Sequence, residues 1–502
     1  MLYVVKTLEN MADSLKDKSL TAFLWVLIDK LGSSLANFAV TVILARLLLP
    51  EDFGLVAMVM VFFEISSSFI QSGFGFALVR EKEISEIDKS TTFIFNLVTA
   101  CIFYIALYIA APAIGSFFNQ EILSGIVRVM GLNLIIGSFS IVQVAVLSQK
   151  IDFKTQTKVR LLAVIISGVC AVVMAMKGMG VWSLVARLGI MELMSAILLW
   201  VVNPWKPALR FSTASFKKLF GFGSKILAEA VIDKFFRNMV QLLMGKFYSS
   251  ATLGFFAQAN TFCNMAATNF LQVIQKVTYP ALAKLKDDRP KLKEGYRQII
   301  AMSSFAIVPV MVLMGVLAEP LVVTLVGEKW LGAVSFLQML CAAGAVYHFN
   351  SINLDMLLVL GRVDLSLKLE VIKKIIAAVC IIIGMQFGIY GMVAGQVVSV
   401  FIALFINTWY SDKLLGYSLS EQSKDVAATV GFSLLAGGVV YLLQAVVSVP
   451  VGCQLFWGGA IGLAVYGGLH WLARTKETQF IEAFVVPKAV QFFAAKRFFV
   501  ML

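Results

Sequence analysis

Runs of about twenty apolar residues return from one end of this chain to the other, separated by short polar connections. Wound as a helix, such a run crosses a hydrocarbon core of ~30 Å, and inside lipid a helix satisfies its own backbone hydrogen bonds. No polar stretch is long enough to make a soluble catalytic domain. Composition agrees. Of 502 residues, 60% are hydrophobic and 14% charged, where soluble domains carry about 25% charged residues. The expected fold class is all-α, a polytopic membrane protein.

Apolar runs between polar breaks predict fourteen spans, at 20–48, 53–79, 91–114, 122–148, 159–177, 181–202, 218–246, 252–281, 297–319, 331–360, 366–387, 389–410, 426–447 and 451–473. Lys and Arg orient them. With the N-terminus in the cytoplasm, the inward connections and both termini hold thirty-one basic residues, and the outward connections hold four, Arg46, Lys177, Lys246 and Lys329. Both ends are therefore expected inside, and the asymmetry accounts for a net charge of +13 without a nucleic acid partner. The segment 1–19 lacks an apolar core with a small-residue cleavage site, so no cleaved leader is expected. In the tail 474–502, Phe and Val alternate with Lys488, Lys496 and Arg497 around Pro487. That is the pattern of a basic amphipathic segment lying on the inner leaflet.

Three short motifs recur in register. "ARLLLPEDFG" at 45–54 has a shadow, "GKFYSSATLG", at 245–254; "QKIDF" at 149–153 returns as "GRVDL" at 361–365; "GVWSLVA" at 180–186 returns as "GIYGMVA" at 388–394. Order and spacing are kept. Two six-helix lobes follow, 20–202 and 218–410, joined by a cytoplasmic linker at 203–217 and followed by two more helices within 426–473. An even number of helices per lobe makes this a parallel repeat, related by an axis along the membrane normal.

The six cysteines lie scattered in or beside apolar spans and read as small buried hydrophobes rather than disulfides or ligands. No nucleotide-binding loop, metal-ligand cluster or nucleophile–base spacing occurs, so neither a metal nor a cofactor is expected. "GFGFAL" at 73–78 reads as close helix packing.

With the thirty-five assigned to connections and termini set aside from the 42, seven basic residues remain inside spans: Lys30, Arg128, Arg187, Lys225, Lys234, Arg237 and Lys276. Each would cost ~2.5–3.5 kcal/mol at a helix centre, so each should face a cavity or a partner. For Lys30, Arg128 and Lys276, reaching to an interface is an equal reading; for Arg187, so is packing against Glu192 or a helix end. The seventh span, "KILAEAVIDKFFRNMVQ", sets Lys225, Glu229, Asp233 and Arg237 at successive i, i+4 positions, with Lys234 beside them. Glu229 and Asp233 are like charges one turn apart, unfavourable unless a cation, a proton or a basic group intervenes. Asp29, Ser33 and Asn37 hold the duplicated positions in the first span. The two polar faces are expected to look at one another across a water-filled cleft; the competing reading is pairing inside a packed bundle. Glu64 and Asp355 are isolated intramembrane acids, suited to a coupling Na⁺ or H⁺ or to bonding a neighbouring Ser, Asn or carbonyl. His348 reads as a satisfied polar residue rather than a proton relay.

With duplicated halves and "ARLLLPEDFGLVAM" after the first span, together with "GVWSLVA", "LGFFAQA" and "VTYPALAKL", the chain resembles the bacterial polysaccharide flippases. The likeness is to the colanic-acid and teichuronic-acid exporters within the multidrug/oligosaccharidyl-lipid/polysaccharide exporter superfamily, and it covers nearly the whole chain. The resemblance implies a two-lobed transporter in the inner membrane of a bacterium. Such a protein carries an undecaprenyl-diphosphate-linked oligosaccharide to the outer leaflet by alternating access, with a glycan polymerase and export machinery as further partners. It also implies basic residues for the pyrophosphate, for which Arg237 and Lys234, then Lys225, Lys30 and Lys276, are the candidates. Glu229, Asp233, Asp29, Glu64 and Asp355 are the candidate cavity or coupling acids. Arg46 and Lys246, at the outer ends of the first and seventh spans, read first as interface anchors and second as ligands for the emerging headgroup. The rival within transport is a cation-coupled small-molecule or drug antiporter. A polymerase or ligase would need a long outer loop with catalytic Arg or His, and every outer connection here is short.

Overall fold

The computed structural model describes the backbone at residues 18–71, 74–75, 78, 85–208, 210–447, 449–480 and 482, with side chains at these positions except 18–31 and several between 222 and 281. Every regular element among the described residues is helical. In chain order they are α1 (Lys18–Leu47), α2 (Pro50–Gln71), α3 (Glu86–Phe118), α4 (Ile122–Gln149), α5 (Phe153–Met176), α6 (Val181–Val202), α7 (Thr213–Arg237), α8 (Met239–Phe247) and α9 (Ser250–Ala283). There follow α10 (Arg289–Val316), α11 (Ala318–Val326), a 3₁₀ turn (Glu328–Trp330), α12 (Ala333–Val359), α13 (Val363–Met385), α14 (Gly388–Leu415), α15 (Leu419–Val446), α16 (Val451–Leu472) and α17 (Lys476–Phe480). Among the described residues, nine helices are long and apolar enough to cross a membrane: α2–α6, α10 and α14–α16. The other five predicted spans coincide with α1, the α7–α8 pair, α9, α12 and α13.

Five helices begin several residues before their apolar run, and each has a side-chain cap. Ser85, Asp152, Ser212, Asp288 and Ser418 accept from the backbone N–H of Asp88, Thr155, Ser215, Lys291 and Glu421 at the starts of α3, α5, α7, α10 and α15. All five starts lie on the side predicted to be cytoplasmic. Apolarity marks where hydrocarbon begins, whereas a helix continues into the headgroup region until a cap satisfies its first amides.

Two predicted spans are broken. The seventh splits at Asn238 (φ −92°, ψ 2°), whose Nδ2 donates to the Lys234 carbonyl at 2.9 Å, competing with the helical ladder. The ninth ends at Leu317 and continues as the short α11.

The chain forms two compact units. The first comprises Asn10–Thr261 with Leu325–Ala333. Within it α3 pairs with α4, α1 and α6 pack on α5, and α2 lies against α4, α6 and α7. Leu44, Leu48, Ala171, Ala175 and Leu184 close one of its apolar clusters. The second comprises Phe262–Thr324 and the described residues from Val334 onward. There α13 pairs with α14, and α15 lies between α10 and α16. Buried amides tie its helices together: Asn407 Nδ2 donates to Asn350 Oδ1 at 2.9 Å, Ser411 Oγ to Asn353 Oδ1 at 2.8 Å, and Asn353 Nδ2 to Gln422 Oε1 at 3.2 Å.

Candidate functional site

The charges of the seventh span meet α2. Lys234 Nζ lies 2.9 Å from Glu64 Oε2, and Asn238 Nδ2 donates to the same oxygen at 3.1 Å. Glu64 is thus no isolated acid. It is the counter-charge that lets a lysine sit within an apolar span. Arg237 Nη2 reaches Asp233 Oδ2 at 2.7 Å, one turn back on its own helix. The Lys234 and Glu64 side chains are about one third and one quarter exposed, and that of Arg237 two thirds. The exposed i, i+4 pair of Arg237 and Asp233 contributes only ~0.3–0.5 kcal/mol, so an anion can take Arg237 from its carboxylate at small cost. The part-buried Lys234–Glu64 pair joins two helices, and an anion that takes Lys234 must replace Glu64 as its counter-charge. Glu229 is exposed on the same helix. Of the expected basic cluster, the side chains of Lys225, Lys30 and Lys276 lie outside the described residues, as does that of Asp29. The 1–17 segment and the basic tail beyond residue 482 lie outside them too.

Asn37, on the polar face of the first span, follows the competing reading of pairing inside the bundle. Arg187 on α6 donates from Nη1 to Thr41 Oγ1 at 3.0 Å and from Nη2 to Asn37 Oδ1 at 3.1 Å and Asn37 O at 3.2 Å. Asn37 also donates to Ser33 O. A guanidinium in an apolar bundle requires acceptors, and α1 supplies them, so Asn37 is engaged among the helices of its own half rather than presented toward the seventh span. Arg187 is held by α1, not by Glu192. Arg128 sits over the Tyr108 ring, 4.7 Å from its centroid.

Arg46 and Lys246 form a reciprocal pair of caps. Arg46 Nε donates to Leu325 O at 2.7 Å, in the last turn of α11, and Lys246 Nζ donates to Phe117 O at 2.6 Å, in the last turn of α3. Each basic residue closes the first helix of its own repeat and caps the third of the other, where the helix dipole favours a cation. Each of these cations already has a protein carbonyl as its acceptor. Between them α2 and α9 cross at Gly54 and Gly254. A Cβ on Gly54 would land on the backbone carbonyl of Ser250, and one on Gly254 on that of Pro50. The fully buried Trp330 donates to Ala45 O at 2.8 Å and meets the rings of Phe53 and Phe255 in T-shaped contacts. Lys329 donates to Arg46 O at 2.8 Å. Burial keeps its pKa below the ordinary lysine value, with Asp52 pulling it back up.

In the second unit Gln275 Nε2 bridges Asp355 Oδ2 (2.6 Å) and Ser351 Oγ (2.7 Å), so Asp355 has a neutral partner. His348, fully buried, shares a hydrogen bond with Ser304 Oγ at 2.8 Å. Among the described residues no group of three or more His, Cys, Asp or Glu is placed to hold a metal ion. Sequence reasoning missed Asn238, Trp330 and the glycine crossing. The repeated glycine at 54 and 254 was the available signal for the last.

Residues 43–335 match the family described as polysaccharide biosynthesis protein. The chain belongs to that family. It is 25% identical over 300 residues to the teichuronic acid biosynthesis protein TuaB of Bacillus subtilis, covering 59% of this chain and 62% of that one. It is 23% identical over 415 residues to the lipopolysaccharide biosynthesis protein WzxC of Escherichia coli, covering 78% and 81%. The alignment thus spans less than two thirds of the Bacillus protein. Among solved structures, one titled lipid II flippase MurJ, inward closed conformation, superposes with a TM-score of 0.75 at 15% identity over 90% of this chain and 99% of that one. An inward-facing multidrug resistance MATE family transporter superposes with a TM-score of 0.61 at 16% identity, covering 79% and 99%. The family member described here is a multi-pass, all-helical membrane protein with the fold of these transporters.

Proposed function

We propose that the protein carries a lipid-linked oligosaccharide, its anchor an undecaprenyl diphosphate, from the inner to the outer leaflet of a bacterial cytoplasmic membrane by alternating access. The glycan then feeds cell-surface polysaccharide assembly. The carrying observation is the pair of displaceable cations on α7, Lys234 against Glu64 and Arg237 against Asp233. A diphosphate leaving headgroup water needs its hydration replaced. Arg offers a two-pronged fork and Lys a point charge, and both strengthen where water is scarce. When the substrate binds, Glu64 and Asp233 lose their partners and are left to take up Na⁺ or H⁺. That supplies a route for ion coupling. Membership of the polysaccharide family and the relatives' names support a glycan substrate over a drug, and the transporter fold supports a transport role over an enzymatic one. A polymerase and export machinery would receive the product.

Lys234→Ala/Arg237→Ala should abolish glycan export while membrane level stays near normal, and Arg237→Lys should retain part of it. Full export by the double variant would remove this assignment and leave the charges as structural pairs.

A further inference from the structure

Inside the first unit, a cavity of about 680 Å³ lies among α1, α2, α4, α5 and α6. That is within the range of small-molecule sites, about 300–1,000 Å³. Two glycines pack against its polar side chains. Glu192 Oε2 would be 3.5 Å from a Cβ at Gly137 on α4, an ordinary contact, whereas a Cβ at Gly189 on α6 would crowd Asn133 Oδ1 at 3.2 Å. Among the described residues Glu192 makes no hydrogen bond or ion pair, and the buried Ser140 Oγ on the same wall has no partner. Ser195 and Gln71 add a hydroxyl and an amide, while Phe63 belongs to an apolar wall.

We infer that this cavity receives neutral sugar rings of the lipid-linked glycan, an inference that rests on the function proposed above. A sugar ring presents hydroxyl donors to a carboxylate and an amide oxygen, accepts from a serine hydroxyl, and lays its C–H face on apolar side chains. Among the described lining residues Glu192 is the one acid and Arg160, which has a partner of its own, the one base, so the lining carries no net positive charge to draw the diphosphate from the α7 cations. A coupling ion accounts poorly for the space. At ~30 Å³ per water, the cavity has the volume of some twenty waters, whereas a bound cation needs a tight cage of oxygens. A hydrophobic organic cation would favour aromatic walls, and among the described residues Phe63 is the one aromatic on this lining.

Ser195→Cys, in a chain with its six native cysteines replaced and export retained, is labelled with a small methanethiosulfonate. The probes are the glycan lipid extracted from cells lacking the protein, undecaprenyl diphosphate without sugar, and tetraphenylphosphonium. The glycan lipid should slow labelling severalfold, and the bare diphosphate lipid should not. Glu192→Gln, in the otherwise natural chain, should need severalfold more glycan lipid for equal retention on immobilised protein. Equal protection by both lipids, protection by tetraphenylphosphonium alone, or no protection overturns the inference. So does a Glu192→Gln chain that keeps its glycan affinity and loses only its dependence on a proton gradient. If the α7 double variant still blocks export, the proposed function survives any of these outcomes.

Discussion

Gly54 and Gly254, two hundred positions apart in the chain, each stand where the other's helix passes. A Cβ on Gly54 would lie 3.1 Å from the amide nitrogen of Gly254, and a Cβ on Gly254 would lie 3.3 Å from that of Gly54. The first of these glycines starts the second helix of one repeat and the second starts that of the other, so the contact is its own mirror under exchange of the repeats.

Gly54→Ala and Gly254→Ala should each destabilise by ~1–3 kcal/mol, because the added methyl meets backbone rather than a movable side chain. Thermal melting of the detergent-solubilised protein is the measurement. Near-equal losses are expected at the two positions, and an unchanged melting point at either would contradict the close crossing.

Trp330 offers a graded test beside the same crossing. Trp330→Ala should cost ~3–5 kcal/mol, as large core truncations do. Trp330→Phe should cost ~1 kcal/mol for the hydrogen bond to Ala45 O. Melts that fail to separate the two variants would show that the indole nitrogen and the ring volume are not what hold this site.

Arg46→Ala and Lys246→Ala each remove a cation from a helix C-terminus at an exposed position, so each loss should be small, ~0.3–1 kcal/mol. The double variant, compared with the singles in the same melts, should show the sum if the caps act independently. A loss confined to one of them would break the reciprocity described for the caps.

The Lys234–Glu64 pair predicts a rescue. Glu64→Lys alone puts two cations together within a span and should lower membrane yield. Adding Lys234→Glu restores opposite charges and should restore yield, yet moves the cation from α7 to α2. Immunoblots should therefore recover while glycan export does not. Recovered export would mean that only the pair, and not the placement of its cation, matters.

Cysteines introduced at Asn119 and Asp287 should react with impermeant maleimide from opposite sides of the membrane, Asn119 from outside. Labelling of both from outside would refute the fourteen-span topology.

Fourteen helical segments were legible because hydrocarbon selects for apolar runs long enough to cross it, and nothing else in a chain resembles them. Their cytoplasmic starts were not, since the residues after Ser85 or Ser418 are charged and the cap, not hydropathy, sets the boundary. Within the site, the run from Lys225 to Arg237 announced its charges but not their partners. Glu64 sits 170 positions before Lys234, and only packing brings α2 to α7. The break at Asn238 was hidden for the same reason, as its amide bends the helix by bonding Lys234 O and Glu64 together. Arg46 and Lys246 were visible as matched positions. Their common task was not, because each is completed by a carbonyl in the other repeat.

The reciprocal crossing bears on how such a chain arose. A surface patch that meets its own copy through a two-fold exchange is what an isologous homodimer makes. Pro50 and Gly54 against Ser250 and Gly254, with Arg46 and Lys246 swapping caps, have that form inside one polypeptide. A single six-helix ancestor carrying the 45–54 motif would already have owned a self-complementary dimer face. Within one polypeptide the two faces need not be identical, and at the matched positions Asn37 stands in one where Arg237 stands in the other.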